Sequence, residues 1–370
     1  MMNSWRRYLS NLPGWRTNRK LVVIESDDWG SIRMPSNASR KRLESKEVDL
    51  SAGSEAYRYS KFDTLANVDD LDSLFRTLRK HKDMHGNHPV FTAMALTANP
   101  DFGKIRASGF ESYEFEPFSQ TLVKYGQEEA LTYWKFGQEA NLFIPEFHGR
   151  EHLNVSAWMR KLKAGDKDTL LGFDQGMWAI NPVDLKINFQ AAFDLEFASD
   201  LEGQHFILDT GLLLFEEIFE RKAKYFVPPN GPINNSLLET ASRRGIDYVS
   251  SAKIQHEVFG EDQTKRNFNW LGKRNRNKQL TLTRNCFFEP SDHSKDWVDS
   301  CLNEMEIAFT YKKPAVISSH RVNYIGGLDE NNRKHGSKQL DELLSGVTLN
   351  WPEVEFITSV QLGDIISGKC

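Results

Sequence analysis

Short apolar strands alternating with helical stretches predict a parallel α/β fold, with the helices packed outside the sheet. Two observations carry that reading. Runs rich in Val, Ile and Phe end abruptly in Asp-Asp, His, Pro-Pro-Asn-Gly or Ser-Ser-His, and segments with helical spacing lie between them. The length of 370 residues and the number of strand-helix units favour an irregular barrel over an open sheet. With no internal repeat and no low-complexity linker, one elaborated domain over 1–370 is the simplest organisation.

Residues 1–20 form an N-terminal arm in which Trp5 and Trp15 sit among Arg6, Arg7, Arg16, Arg19 and Lys20. Leu21-Val22-Val23-Ile24 then reads as a buried strand running into Glu25-Ser26-Asp27-Asp28-Trp29, and Gly30 lets the chain turn away. Residues 31–66 are polar and punctuated by Ser and Gly, a long loop with short helices. Val68, Leu71, Leu74, Phe75 and Leu78 predict an amphipathic helix with Asn67 as its N-cap. Pro89 to Leu96 is the next strand, and a helix near 128–139 precedes the extended Leu142 to Phe147. That strand delivers His148-Gly149-Arg150-Glu151-His152, followed by a short helix from Val155 with Asn154 as N-cap.

Helical patterns over 187–202 and 211–224 lead to the strand Tyr225-Phe226-Val227 and to Pro228-Pro229-Asn230-Gly231. A helix over 235–244 is closed by Gly245, and Ile246 to Ser250 is again a strand. The segment 253–292 is basic and irregular apart from Gln279-Leu280-Thr281-Leu282. After a helix over 294–311, Ala315 to Ser319 runs into His320. A helix near 337–345, a strand over 354–358 and a helix from Val360 end the chain.

Composition removes several classes of function. A formal charge of −4 gives no electrostatic case for nucleic acid, and the run Lys273 to Lys278 lacks the interleaved aromatics that would make it a binding patch. Nothing approaches the length of a membrane span, and the arm lacks a signal-peptide core. Three cysteines, Cys286, Cys301 and Cys370, show no zinc-ribbon spacing and fit a reducing compartment. A cytoplasmic protein is the expectation.

The chemistry concentrates at the strand ends. Adjacent Asp27 and Asp28 repel unless a cation lies between them or one holds a proton. A metal ion answers that need, as does a division of labour between ligand and base. His148 and His152, four apart, can face one ion, and a carboxylate from another strand makes a third ligand, leaving positions open for water and substrate. Two nitrogens and one oxygen suit a divalent ion such as zinc. Pro228 to Gly231 and His320 also follow strands, and such loops converge on one face of a parallel fold. His81, His85 and His88 form a rival cluster. They precede a strand, however, and so belong to the opposite end, where helix C-termini explain them.

This order of motifs resembles the polysaccharide deacetylases, carbohydrate esterase family four, over about 21–366. The resemblance implies an irregular parallel (β/α) barrel of that type and removal of an acetyl group from an N- or O-acetylated sugar. It further implies Asp27 as general base, Asp28, His148 and His152 as metal ligands, and His320 as general acid. The backbone N–H of Asn230 is placed as the oxyanion donor, a role that survives any side chain except proline. The chain departs from the pattern at Ser26, where an aromatic is usual, at Ser318, where Leu is usual, and at Val227, where an arginine orients the base. Arg150, inside the loop of the His pair, is the expected substitute, with Arg321 the other candidate. The long interval between the Asp and His pairs implies an insertion within residues 31–140, after the first strand.

Two other classes compete. A metal-dependent hydrolase of related barrel architecture acting on a glycosidic bond would need a second carboxylate, for which Glu25, Glu146 and Asp174 are available. A carbohydrate-binding protein that kept the fold without turnover is the other, suggested by the missing arginine. Among Trp29, Trp158, Trp178 and Trp270, Trp29 is the first choice for stacking on a sugar, because it follows Asp28.

Overall fold

The strand β1 (Lys20–Trp29) is buried along its whole length after Lys20, as a parallel strand covered on both faces must be. The computed structural model describes residues 11–50, 54–182 and 185–369, so Trp5, Arg6, Arg7 and Cys370 lie outside the described residues. On one side β1 pairs with β12 (Ala315–His320), from Val22 opposite Ala315 to Asp27 opposite His320. On its other side β13 (Val354–Phe356) pairs Lys20 to Val22, and β2 (Phe91–Leu96) takes over from Ile24.

The sheet continues beyond β2 through β5 (Phe143–Gly149), β6 (Tyr225–Phe226), β7 (Tyr248–Ser250) and β10 (Leu280–Leu282). Beyond β12 it ends at β11 (Cys286–Phe287), and every pairing within it is parallel. The two edge strands, β10 and β11, are consecutive in the chain, separated only by Thr283, Arg284 and Asn285. Eight strands laid flat would put those edges about 34 Å apart, whereas that connection spans about 14 Å at full stretch. The sheet is therefore curled into an incomplete barrel, and residues 283–285 cross its open seam.

Residue alternation sorts the two layers. Leu21 and Val23 of β1 join Met94, Tyr225, Tyr248, Leu280 and Val316 in one apolar cluster inside the curl. Val22 and Ile24 join the larger cluster beneath the outer helices, with Leu71, Leu74, Leu343 and Leu344. The helix Val68–Arg79 begins with a full capping box between Asn67 and Asp70, and Asn154 caps Val155–Lys163, both as the sequence predicts. Among the described residues no helix is long and apolar enough to cross a membrane.

Two parts differ from expectation. The helix expected in two pieces over 187–202 and 211–224 is one helix, Leu201–Phe219. Phe189, Ala192 and Phe193 are buried from irregular turns ahead of it, and their spacing imitates helical periodicity. The segment 253–292 contains an antiparallel hairpin, β8 (Ile254–Gly260) with β9 (Gln263–Phe268). Most of its side chains reach solvent, so no apolar alternation marks it. Within 31–140, β2 is a strand of the main sheet. The additional elements flank it: helices before it, and the antiparallel pair β3 (Ala98–Pro100) and β4 (Phe115–Pro117) with further helices after it.

The turn after β12 is braced by the helix Glu330–Asn350, where a Cβ on Gly336 would come within 1.7 Å of the Asn323 carbonyl oxygen. Gly336→Ala would favour an isolated helix by about 1 kcal/mol. Here it is expected to destabilise the protein instead, by roughly 1–3 kcal/mol, because the overpacked backbone cannot yield. Urea unfolding checks this, and an increase in stability would contradict the packing described.

Candidate metal centre and active site

Strict alternation along β1 would send Leu21, Val23, Glu25 and Asp27 inward and Asp28 outward. The strand avoids this with a bulge: Ser26 pairs Ala93 but Trp29 pairs Ala95, so one residue is extra. Asp28 takes φ +75°, a left-handed conformation that Asp tolerates better than most residues. Both carboxylates thereby line one cavity of about 920 Å³. A second register shift, between Ala95 and Leu96, sets His148 off the regular ladder of β5.

Asp28 Oδ1 lies 3.2 Å from His152 Nε2 and 3.5 Å from His148 Nε2. Three ligand atoms from these residues fall within 4.8 Å of one another, and all three residues are buried. Asp28 Oδ1 and His148 Nε2 have no hydrogen-bond partner, a costly state for buried polar atoms and the expected one for atoms meant to hold an ion. His148 Nδ1 donates to the Val227 carbonyl at 2.7 Å, which leaves the Nε2 lone pair free for a metal. Burial holds His152 below its ordinary pKa and so keeps it neutral, as a ligand must be. The residues fit a divalent ion.

Asp27 has a different partner. Arg284 donates to both its oxygens, at 2.7 and 2.6 Å, and also reaches Glu25 Oε2 at 2.5 Å and Ser318 Oγ at 3.1 Å. Burial would raise the Asp27 pKa, but Arg284 and the neighbouring histidines outweigh it and hold the carboxyl below its usual value. His320, beside Asp27 in register, places Nε2 3.9 Å from Asp27 Oδ2. Its Nδ1 is bonded to Glu289 at 2.5 Å. Burial disfavours its charge, yet Glu289 and then Asp28 and Asp27 push its pKa up to about 9.

Arg284, not Arg150, meets Asp27. Arg150 is buried against Glu151 at 2.7 Å, bonds Thr210 and lies over the Phe115 ring at 4.1 Å. Arg321 is paired with Asp63. The signal for Arg284 was its place between two strands, hidden because β11 is too short to read from sequence. Val227 contributes its carbonyl to His148, and the Ser318 hydroxyl is an acceptor for Arg284. Asn230 lines the cavity with φ +55°, and among the described residues its N–H has no acceptor.

Trp29 is no sugar platform. It is fully buried, with Nε1 bonded to Ser26 and its ring edge-on to Phe143. Trp158 and Trp178 are buried as well, whereas Trp270 is partly exposed. His81 and His85 bind Asp341 and Glu355 separately, and His88 bonds the His81 carbonyl, so the rival cluster is dispersed among other partners.

No family model and no curated protein matches the sequence. Among solved structures, the chain is similar to a probable polysaccharide deacetylase from Pseudomonas aeruginosa PAO1, with 9% identity over 94% of this chain and 90% of that one, at a TM-score of 0.49. An allantoinase matches with 8% identity over 94% and 91%, at 0.47. A Mycobacterium smegmatis protein described as a polysaccharide deacetylase matches with 12% identity over 96% and 93%, at 0.44. Likeness at this level does not choose among reactions; the residues of the site must.

The ligand geometry yields a direct test. The purified protein is expected to bind one divalent ion, measured by elemental analysis and zinc titration. His148→Ala and His152→Ala are expected to lose it while circular dichroism stays unchanged, and Asp27→Asn to retain it. Full occupancy in the double histidine variant would place the metal elsewhere.

Proposed function

We propose that this protein is a metal-dependent hydrolase that removes an acetyl group from an N- or O-acetylated sugar, with zinc as the metal. One observation carries the reading. Two adjacent carboxylates enter the same cavity with opposite partners, Asp27 neutralised by an arginine and Asp28 left with a bare oxygen beside two histidines.

A divalent ion held by Asp28, His148 and His152 supplies Lewis acidity toward the acyl carbonyl and lowers the pKa of water. Asp27, kept ionised by Arg284, accepts the proton of the attacking water. The Asn230 N–H is free to donate to the carbonyl oxygen as negative charge develops there. His320, held protonated and oriented by Glu289, delivers a proton to the departing amine or alcohol. An amine cannot leave as its anion near neutral pH, so this proton is required for an amide substrate.

None of the three carboxylates available to the glycosidic alternative is free to serve it. Glu25 is tied to Arg284 and Ser359, Glu146 to Arg221 and two backbone amides, and Asp174 to Arg106. A binding protein without turnover was suggested by the absent motif arginine, and Arg284 removes that reason.

Acetate release from a panel of N- and O-acetylated sugars, with and without chelator, tests the proposal. Metal-bound, folded protein that releases none would overturn it. Asp27→Asn is expected to reduce turnover roughly a hundredfold or more, while near-normal activity would show that another group is the base.

The pH profile separates the partners. Asp27 must be ionised, so activity falls as pH drops through its pKa. Arg284→Gln raises that pKa and should move the acidic limb upward, whereas Arg150→Gln should leave the limb in place. His320 must be protonated, so activity falls as pH rises through about 9, and Glu289→Gln should move this basic limb downward. Limbs that stay fixed in both the Arg284 and Glu289 variants would refute the two assignments.

A further inference from the structure

Arg33 is a cation of the cavity that has no role in the chemistry above. Arg33 is 4% exposed and lines the same cavity as Asp28 and His152. Its guanidinium lies over the Tyr59 ring at 4.4 Å and faces Trp178 at 5.5 Å. Tyr59 meets His320 edge-on, and Trp178 stacks on His152. Arg33 is thus clamped between two rings, each of which touches a histidine of the site.

The flanking backbone fixes this position. Ile32 N–H donates to Asn99, its carbonyl accepts from Trp178 Nε1, and Met34 N–H donates to the Asp63 carbonyl. Yet among the described residues the guanidinium makes no ion pair and no hydrogen bond. The nearby Asp63 gives Oδ1 to Arg321 at 2.8 and 3.1 Å. Arginine does not deprotonate in proteins, and its donors form a fork that matches carboxylate and phosphate. Two aromatic faces offset only part of the cost of burying such a charge.

Taking the reading of the site as an acyl-sugar hydrolase, we infer that its substrate carries an anionic substituent, a carboxylate or a phosphate, which Arg33 binds beside the metal centre. A neutral acetylated sugar would leave this buried fork unpaired in the complex, which is a strong basis for discrimination.

Isothermal titration of the zinc-loaded protein with three probes tests this: N-acetylglucosamine, N-acetylmuramic acid and N-acetylglucosamine 1-phosphate. At least one anionic probe is expected to bind about tenfold or more tightly than the neutral sugar, the scale of a charge-assisted hydrogen-bond pair. The probe that wins identifies the anion, and its advantage should shrink with added salt. Arg33→Gln should reduce that advantage to about twofold, and Arg33→Lys, which keeps the charge and loses the fork, should retain part of it. Equal binding of all three probes by the wild type overturns the inference whether or not the variants fold. So does an anion preference that survives Arg33→Gln, since the metal alone would then account for it. Preference in binding without acetate release would instead remove the hydrolase reading and leave the anion site standing. Equal release from neutral and anionic sugars would do the reverse.

Discussion

Arg284 joins the closure of the barrel to the charge balance of Asp27. It lies in the three residues that carry the chain from β10 to β11 across the open seam, and its side chain points back to Glu25 and Asp27 on the central strand. Glu25 is fully buried, and a lone carboxylate there would be expensive. One guanidinium between two carboxylates, with Ser359 donating to Glu25 and Ser318 accepting from Arg284, satisfies the groups that burial would otherwise penalise. The seam connection therefore cannot drift without uncovering charge inside the barrel. A surface ion pair in the same loop would hold the seam weakly and do nothing for Asp27.

The site depends equally on breaking the regularity of the sheet. Inward-facing positions on a strand come every second residue, so a regular β1 could show only one of two adjacent aspartates to the cavity. The bulge at Asp27-Asp28 and the left-handed backbone of Asp28 supply the second. The register shift at His148 does related work on β5, which β2 and β1 separate from β12. Irregularity thus falls where side chains must converge. The pairing of β1 with β12 stays in step from Val22 to Asp27, so Asp27 and His320 remain direct neighbours.

What could be read from sequence was local. Asp27, Asp28, His148, Asn230 and His320 each sit at or just beyond the end of an apolar run, and a parallel fold gathers such ends on one face. Asn67 and Asn154 announced their helices because a cap is read within four residues. Arg284 also follows a short apolar run, Leu280 to Leu282, but the two-residue β11 after it leaves no sign in sequence that the chain crosses the seam there. Arg150 looked suitable because it is near His148 in the chain. Its side chain nevertheless pairs with Glu151 in the outer packing, and sequence distance carries no information about which side of the backbone a group takes. Trp29 misled similarly: the bulge that turns Asp28 inward returns the next residue to the core behind β1.

The two aspartates are chemically identical and adjacent, so only their surroundings can give them separate tasks. A carboxylate whose oxygens are both occupied by a guanidinium is a poor metal ligand, because binding an ion would mean breaking charge-assisted bonds already made. It remains a competent proton acceptor, since a proton adds to one oxygen while the other keeps its partner. A carboxylate with a bare oxygen beside a neutral imidazole is in the reverse position: it lacks the neutralising cation, and an ion supplies one. Arg284 on Asp27, and its absence from Asp28, therefore supports the proposed division into base and ligand without appeal to motif position. The same logic sets His320 apart from His148 and His152. Glu289 gives His320 an anionic neighbour that favours its charged form, whereas His148 bonds a neutral carbonyl and keeps a lone pair to give.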